Sequence, residues 1–152
     1  MSSCMGGHKV LYLVRVDVDD LNIRVNPGTA NPSIGHTGKG IFIIEKEMPV
    51  PGESVWGRLH RISDKKGWIC LDHARKIGWG LTMEPFRVKI SVPDLNLRKG
   101  AGTKYESRGH IPMGVFTIVD VKDVPGESRW GLLLSYAEKR NGWICLDHAT
   151  RI

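Results

Sequence analysis

The chain has few cysteines and no long apolar run. Three cysteines in 152 residues are an odd number and too few for a disulfide framework. The apolar run at residues 10–14 is too short for the core of a signal peptide. No stretch approaches the roughly 20 apolar residues that a membrane helix requires. We therefore expect a fold that rests on its apolar core, without a membrane span or a secretion signal in these residues.

Concentrated positive charge is also absent. Lysine and arginine total 22 against 16 acidic residues, which gives a net charge of +6. Such a balance favours an anionic partner, which includes nucleic acid, acidic lipid and anionic cell-wall polymer. The charge is diffuse, however, because residues 1–77 and 78–152 each carry +3 and no basic cluster exceeds a pair. Nucleic-acid binding normally requires a basic stripe, so this distribution argues against it.

Much of the chain occurs twice. Residues 67–74 return unchanged as residues 142–149, and residues 20–24 return 74 positions later with one substitution. Over the aligned stretches 14–57 and 67–77, 30 of 55 positions are identical between the copies. Identity at this level indicates an internal duplication.

The length of the repeat predicts the domain organisation. A period of 74 or 75 residues is longer than the 20–50 residues of solenoid repeats, so each copy should be a domain with its own core. We predict one module at residues 8–77 and a second at residues 86–152, joined by a short linker at 78–85. Apolar linker side chains, Trp79 among them, predict packing between the modules.

Each copy has the residue pattern of short β-strands. Residues 14–18 alternate apolar and polar side chains, and residues 21–24 do so again before a turn rich in glycine and proline. Residues 41–44 are rich in β-branched and aromatic side chains, and further short strands are predicted at 56–59 and 68–70. No window of ten or more residues has a helical period. Five or six short strands in about 70 residues predict an all-β fold of two small barrels in tandem.

Several motifs recur in a fixed order. Leu21-Asn22-Ile23-Arg24 precedes a Gly28-Thr29 turn, and the second copy repeats this pattern. A glycine-led apolar strand, a Trp-Gly strand and a closing Gly-Trp-Ile follow in both copies. Together these motifs resemble the bacterial SH3 (SH3b) domain of clostridial-type phage endolysins and autolysins. The resemblance covers nearly all of residues 10–152 and implies two SH3-like barrels.

The resemblance also implies a function. It implies non-catalytic binding of Gram-positive peptidoglycan, or of a wall-attached anionic polymer, by tandem modules that target an attached or parent peptidoglycan hydrolase. We therefore expect no enzyme activity, cofactor, metal, nucleic acid or membrane partner, and a point of action at the bacterial cell wall. Self-association, or association with the full-length parent enzyme, stays open. The alternative function is a small β-barrel that binds nucleic acid.

The resemblance places a ligand groove in each module. The groove lies between the loop at residues 25–40, or 99–114 in the second copy, and the Trp-Gly strand. Its candidate residues are polar or aromatic. In the first copy they are Asn22, Arg24, Thr29, Asn31, His36, Trp56, Asp72 and His73. In the second copy they are Asn96, Arg98, Thr103, Tyr105, His110, Trp130, Asp147 and His148.

Some of these candidates also suit a structural role. Asn22 and Arg24, like their counterparts, either tie the long loop through hydrogen bonds to backbone carbonyls or contact the ligand directly. Trp56 and its counterpart belong either to the core or to the groove wall. Trp68 and its counterpart are predicted to lie in the core.

Two Cys-x-x-His pairs invite a chemical interpretation. Cys70 and His73 recur as Cys145 and His148, and four such ligands suit tetrahedral zinc. A nucleophile and base three residues apart rarely align, and the two pairs lie on separate modules. The favoured interpretation is a small half-buried cysteine beside a loop histidine in each module.

Overall fold

The chain divides into two compact units, Met1–Gly80 and Leu81–Ile152, called module 1 and module 2 below. The structure, a computed structural model, describes residues 8–78 and 80–152. Trp79, one of the linker residues predicted to pack between the modules, lies outside the described residues. That packing therefore stays a prediction.

Module 1 is one sheet of seven strands. In chain order these are β1 (His8–Val16), β2 (Asn22–Arg24), β3 (Ser33–His36), β4 (Gly40–Pro49), β5 (Val55–Leu59), β6 (Trp68–Cys70) and β7 (Ala74–Ile77). Across the sheet the order is β3-β2-β6-β5-β4-β1-β7, and each neighbouring pair is antiparallel. A short 3-10 turn, Leu71–His73, joins β6 to β7.

Module 2 repeats this arrangement. Its strands are β8 (Phe86–Ile90), β9 (Leu95–Arg98), β10 (Ser107–Ile111), β11 (Gly114–Asp123), β12 (Arg129–Leu133), β13 (Trp143–Cys145) and β14 (Ala149–Arg151). The order across the sheet, β10-β9-β13-β12-β11-β8-β14, matches that of module 1 strand for strand. The 3-10 turn Leu146–His148 joins β13 to β14, as Leu71–His73 does in module 1.

Each module has its own apolar core. In β1 the alternating side chains Tyr12, Val14 and Val16 face one side of the strand and are at most 6% exposed. They pack with Ile44 of β4 and Ile69 of β6, which are fully buried. Burial of each such aliphatic side chain contributes roughly 1.5–3 kcal/mol. The equivalent positions form a separate core in module 2.

The predicted all-β class with two small β modules is confirmed, but each sheet has seven strands rather than five or six. The loop predicted at residues 25–40 contains a short strand, Ser33–His36, which pairs with β2. All four residues of β3 are exposed, so the sequence has no apolar alternation there. In β10 of module 2, Ser107, Arg108 and His110 are exposed, Gly109 is half-buried and Ile111 is buried.

The last strand of each module also escaped prediction. β7 is short and carries two exposed basic side chains, and it is held by pairing with β1 from Leu13↔Ile77 to Val16↔Ala74. The pairing order within each sheet runs from one edge strand to another, so barrel closure stays a prediction. Among the described residues, no helix has the length and apolar character needed to cross a membrane.

Candidate functional site

A cleft of about 510 Å³ opens on the surface of module 1. Its walls come from the start of β2, the turn before β5, the strand β5 itself, and the end of β6 with the following 3-10 turn. The lining residues are Val18, Asp20, Leu21, Asn22, Arg24, Thr29, Glu53, Ser54, Trp56, Cys70, Asp72 and His73. Six of the eight residues predicted for module 1 are among them.

Module 2 has a matching cleft of about 450 Å³. Its lining residues are Val92, Asp94, Leu95, Asn96, Arg98, Thr103, Glu127, Ser128, Trp130, Cys145 and His148. Asp147 accepts a hydrogen bond from the Ser128 hydroxyl at the edge of this group. The structure thus brings together the same part of the predicted residue set in both modules.

The two clefts have the same lining. All twelve residue types that line the first cleft recur unchanged at the equivalent positions of module 2, whereas the aligned copies share only 30 of 55 positions. Core positions are less constant, since Val16 corresponds to Ile90 and Ile23 to Leu97. Fold maintenance alone tolerates such volume-similar exchanges in a core. The cleft lining is therefore better retained between the two copies than these core positions are.

The arginine at the end of β2 holds the long loop in place. Arg24 Nη1 donates to the backbone carbonyl of Asn31 at 2.8 Å. In module 2, Arg98 Nη1 donates to the Tyr105 carbonyl at 3.0 Å. Asn22 Oδ1 accepts from the Ser33 hydroxyl at 2.8 Å, and this bond joins β2 to β3. These bonds give Arg24 and Asn22 the loop-tying role, and their contact with a ligand stays a prediction.

A glutamate from the turn before β5 fixes the tip of the same loop. The Glu53 carboxylate accepts hydrogen bonds from the Thr29 amide at 3.2 Å and from its hydroxyl at 3.1 Å. Glu127 holds Thr103 in the same way, at 3.1 and 3.0 Å. Gly28 precedes Thr29 with φ of 116°, a conformation that suits glycine and turns the Thr29 amide toward Glu53.

Sequence reasoning missed several of the lining residues. Glu53, Ser54 and Asp20 line the cleft but were not candidates. The available signal was the Pro-Gly-Glu-Ser turn, which is identical in both copies at residues 51–54 and 125–128. The Ser54 hydroxyl donates to the Asp72 carboxylate, so this turn also positions a predicted site residue.

The tryptophan of the Trp-Gly strand belongs to both the core and the cleft. Trp56 and Trp130 are only 2% and 3% exposed, yet both line their clefts. The indole Nε1 of each is buried and has no hydrogen-bond partner among the described residues, and the same is true of Nε of Arg24 and Arg98. A buried donor without an acceptor costs about 1–3 kcal/mol. A ligand that offers acceptor oxygens to these donors would recover that free energy.

The cleft cysteines are poor candidates for nucleophiles. Burial raises the pKa of the Cys70 thiol, although a hydrogen bond at the backbone of Asp72 acts in the opposite direction. Burial likewise raises the pKa of Cys145. Both thiols are half-buried, as predicted, and a raised pKa keeps them protonated and weakly reactive. Within residues 8–78 and 80–152, no group of three or more His, Cys, Asp or Glu side chains is arranged to hold a metal ion.

Besides Asp147, four predicted residues lie outside the cleft lining. Asn31 donates its side-chain amide to the Pro27 carbonyl at 2.9 Å and so braces the loop. Its counterpart Tyr105 is 41% exposed, beside Gly100, where an added Cβ would lie 2.7 Å from the Tyr105 ring. His36 and His110 are exposed residues of β3 and β10, paired with Asn22 and Asn96. A role for these four in binding stays a prediction.

Comparison with known proteins adds one relationship. No protein-family model matches the chain. The chain is similar to a Bacillus subtilis (strain 168) protein named as an N-acetylmuramoyl-L-alanine amidase, YrvJ, with 27% identity over 145 residues. The match covers 89% of this chain and 25% of that relative, so the chain spans about a quarter of the relative's length. This likeness relates the chain to one portion of a peptidoglycan amidase.

Proposed function

We propose that the chain is a non-catalytic cell-wall-binding region made of tandem SH3b-type modules. Each module binds peptidoglycan, or a polymer attached to it, in the cleft that Trp56 or Trp130 lines. The observation that carries this proposal is the unchanged lining of the two clefts, in a chain whose copies otherwise differ at almost half of the aligned positions.

Two further observations support wall binding. The relative to which the chain is similar is named as an amidase that acts on peptidoglycan, and the chain matches only a quarter of it. A fragment of that size suits a targeting region that keeps an attached hydrolase near its substrate. The clefts also combine apolar and aromatic side chains with a few polar groups, which is the usual composition of a ligand site.

The cysteines that line the clefts are not suited to act as nucleophiles. The cleft thiols are half-buried, and burial raises the pKa of Cys70 and of Cys145. A protonated thiol is a weak nucleophile at neutral pH. We propose that the catalytic step belongs to a hydrolase domain that these modules accompany, acting at the bacterial cell wall.

Co-sedimentation with purified Gram-positive sacculi tests the proposed function. We expect the chain to sediment with untreated sacculi. Binding that survives high salt and the stripping of wall teichoic acid would place the ligand in the peptidoglycan, and binding lost on stripping would place it in the attached anionic polymer. The double variant Trp56→Phe/Trp130→Phe, which removes both unpartnered indole donors, should weaken binding by more than about tenfold, because both sites and the avidity between them are affected. Each Trp→Phe change also removes core volume, so a matched control is needed.

The control variant is Trp68→Phe/Trp143→Phe. These two tryptophans are also buried, at 8% and 2% exposure, but neither lines a cleft. Trp143 Nε1 also donates to the Arg140 carbonyl at 3.0 Å, so this variant should lose at least as much stability as the cleft variant and still bind sacculi. Failure of the wild-type chain to sediment with any sacculi would contradict wall binding. Binding of the chain to an oligonucleotide, measured without sacculi, would then favour the nucleic-acid alternative.

A further inference from the structure

The clefts carry the opposite charge to the chain as a whole. The chain has a net charge of +6. The first cleft, in contrast, is lined by three carboxylates, those of Asp20, Glu53 and Asp72, and by only one guanidinium group, that of Arg24. The second cleft carries Asp94 and Glu127, with Asp147 beside them, against Arg98. Positive charge is therefore spread over the surface, while negative charge gathers where the ligand is proposed to bind.

Within residues 8–78 and 80–152, these carboxylates have no basic partner. There Glu53 accepts hydrogen bonds from Thr29 alone, and Asp72 accepts one from Ser54. Asp20, which lies two residues before β2, makes no hydrogen bond or ion pair among the described residues, and Asp94 is equally without a partner there. The guanidinium of Arg24 is directed to the loop carbonyl of Asn31. Unneutralised carboxylates at a cleft repel phosphate and attract cations.

The buried indole donors indicate a second property of the ligand. Trp56 and Trp130 are 98% and 97% buried, line the clefts, and have no acceptor for Nε1. A ligand that fits both features must carry a cationic group for the carboxylates and an acceptor oxygen for the indole N–H. A primary amine next to a carbonyl has both, whereas a chain of phosphate groups offers acceptors without the cation.

We propose that each cleft binds a primary ammonium group that lies next to a carbonyl in the wall polymer. The carboxylates of Asp20 and Glu53, or of Asp94 and Glu127, face the ammonium group, and the indole N–H of Trp56 or Trp130 donates to the carbonyl. This inference rests on the proposed wall binding and names its ligand chemistry. Such a group occurs in the free amines of peptidoglycan peptides and in aminoacyl esters of teichoic acid.

Chemical N-acetylation of the sacculi tests this inference on the unaltered chain. Acetic anhydride converts wall amines to amides and makes the wall more anionic. If the diffuse positive charge of the chain dominated binding, acetylation would strengthen binding. We expect acetylation to weaken binding at least about fivefold, since a charged contact worth about 1 kcal/mol is lost at each cleft. The two explanations therefore predict opposite changes in binding after acetylation.

Variants of the unpartnered aspartates test the residues that carry the inference. Asp20→Asn/Asp94→Asn keeps the side-chain shape, and both positions are exposed, so the fold should persist. This variant should bind untreated sacculi about threefold to tenfold more weakly than wild type and should lose its sensitivity to acetylation. The matched control is Asp17→Asn/Asp123→Asn, which makes the same charge change outside the clefts, where each aspartate pairs with an arginine.

The outcomes of these experiments distinguish the two sources of the amine, and they distinguish failure of the ammonium proposal from failure of the proposed wall binding. Loss of acetylation-sensitive binding after teichoic acid is stripped assigns the amine to its aminoacyl esters, and retention assigns it to peptidoglycan peptides. Binding of wild type that is equal or stronger after acetylation overturns the ammonium proposal and leaves wall binding intact. Absence of binding to all sacculi overturns both.

Discussion

Tyr12 and Phe86 occupy the same position in the two modules and differ by one hydroxyl group. Tyr12 is 6% exposed, and its hydroxyl donates to Glu47 Oε2 at 2.5 Å. Burial raises the pKa of Tyr12 well above its usual value, and the hydrogen bond and negative charge of Glu47 raise it further. Module 2 fills the position with Phe86 and has Val121 in place of Glu47. The chain thus contains its own apolar version of this pair.

This pair predicts a pH-dependent effect of Tyr12→Phe. Because the pKa is higher in the folded chain, the hydroxyl contributes stability that is complete below about pH 10, the pKa in the unfolded chain. That contribution is lost as the pH rises above 10. At pH 7 the variant should be less stable by about 1–2 kcal/mol, and the difference should shrink by pH 11.

Thermal or urea unfolding at pH 7, 9 and 11 measures this difference. Tyr105→Phe is the matched control, since Tyr105 is 41% exposed and its hydroxyl makes no hydrogen bond among the described residues. The control should change stability at pH 7 by less than about 0.5 kcal/mol. A Tyr12→Phe deficit that stays constant from pH 7 to 11 would contradict the assigned role of the hydroxyl.

At the scale of elements, a glycine decides how close the 3-10 turn approaches the sheet. A Cβ atom at Gly131 of β12 would lie 2.9 Å from Leu146 Cδ2 and 3.0 Å from Ile118 Cγ2. Gly57 has the same relation to Leu71 and Ile44 in module 1. Leu146 opens the turn that carries Asp147 and His148, so this close packing positions one wall of the cleft.

Gly131→Ala should therefore push the turn away from the strand. We expect a loss of about 1–3 kcal/mol in stability, as for other overpacked sites, together with weaker binding to sacculi. Leu146→Ala should cost less in the Gly131→Ala background than in wild type, because it removes one of the two clashing side chains. A double-mutant cycle by urea unfolding measures this coupling, and strict additivity would show that the two residues do not compete for the space.

The elements that the sequence predicts are those whose strands carry their own apolar pattern. The alternation in β1 and β8 and the apolar runs of β4 and β11 are local signals, and the structure has strands there. β3 and β7 have no such pattern. All of β3 and the two central residues of β7 are exposed, and pairing with β2 and β1 holds these strands. The residue pattern within one segment cannot predict a strand that forms because a neighbouring strand pairs with it.

The site is predictable only in part for a similar reason. Trp56, Arg24 and Thr29 belong to recurring motifs, and they do meet in one cleft. Glu53 belongs to a Pro-Gly-Glu-Ser turn, and its local pattern indicates only a turn. Its function as an anchor for Thr29 depends on a contact across 24 residues of sequence. The negative charge of the cleft is therefore apparent only in the folded structure, where the turn lies against the loop.

At the scale of the whole molecule, the duplication predicts bivalent binding. Two sites with the same lining on one chain raise retention on a polymeric wall by about 10²–10⁴ when both engage at once. We propose that module 1 and module 2 each carry one cleft that is able to bind the wall. Disabling either site alone then converts a bivalent binder into a monovalent one, whose residual affinity is that of a single cleft.

The single variants Trp56→Phe and Trp130→Phe test this proposal. Each should shorten the dwell time on sacculi by at least about tenfold, because loss of one site removes the avidity gain. The measurement is the release of labelled chain from pre-loaded sacculi after dilution. If one single variant dissociates like wild type and the other like the double variant, only one cleft binds, and the unchanged lining of its partner has another cause. Equal, large effects of the two single variants would establish that both clefts bind the wall at the same time.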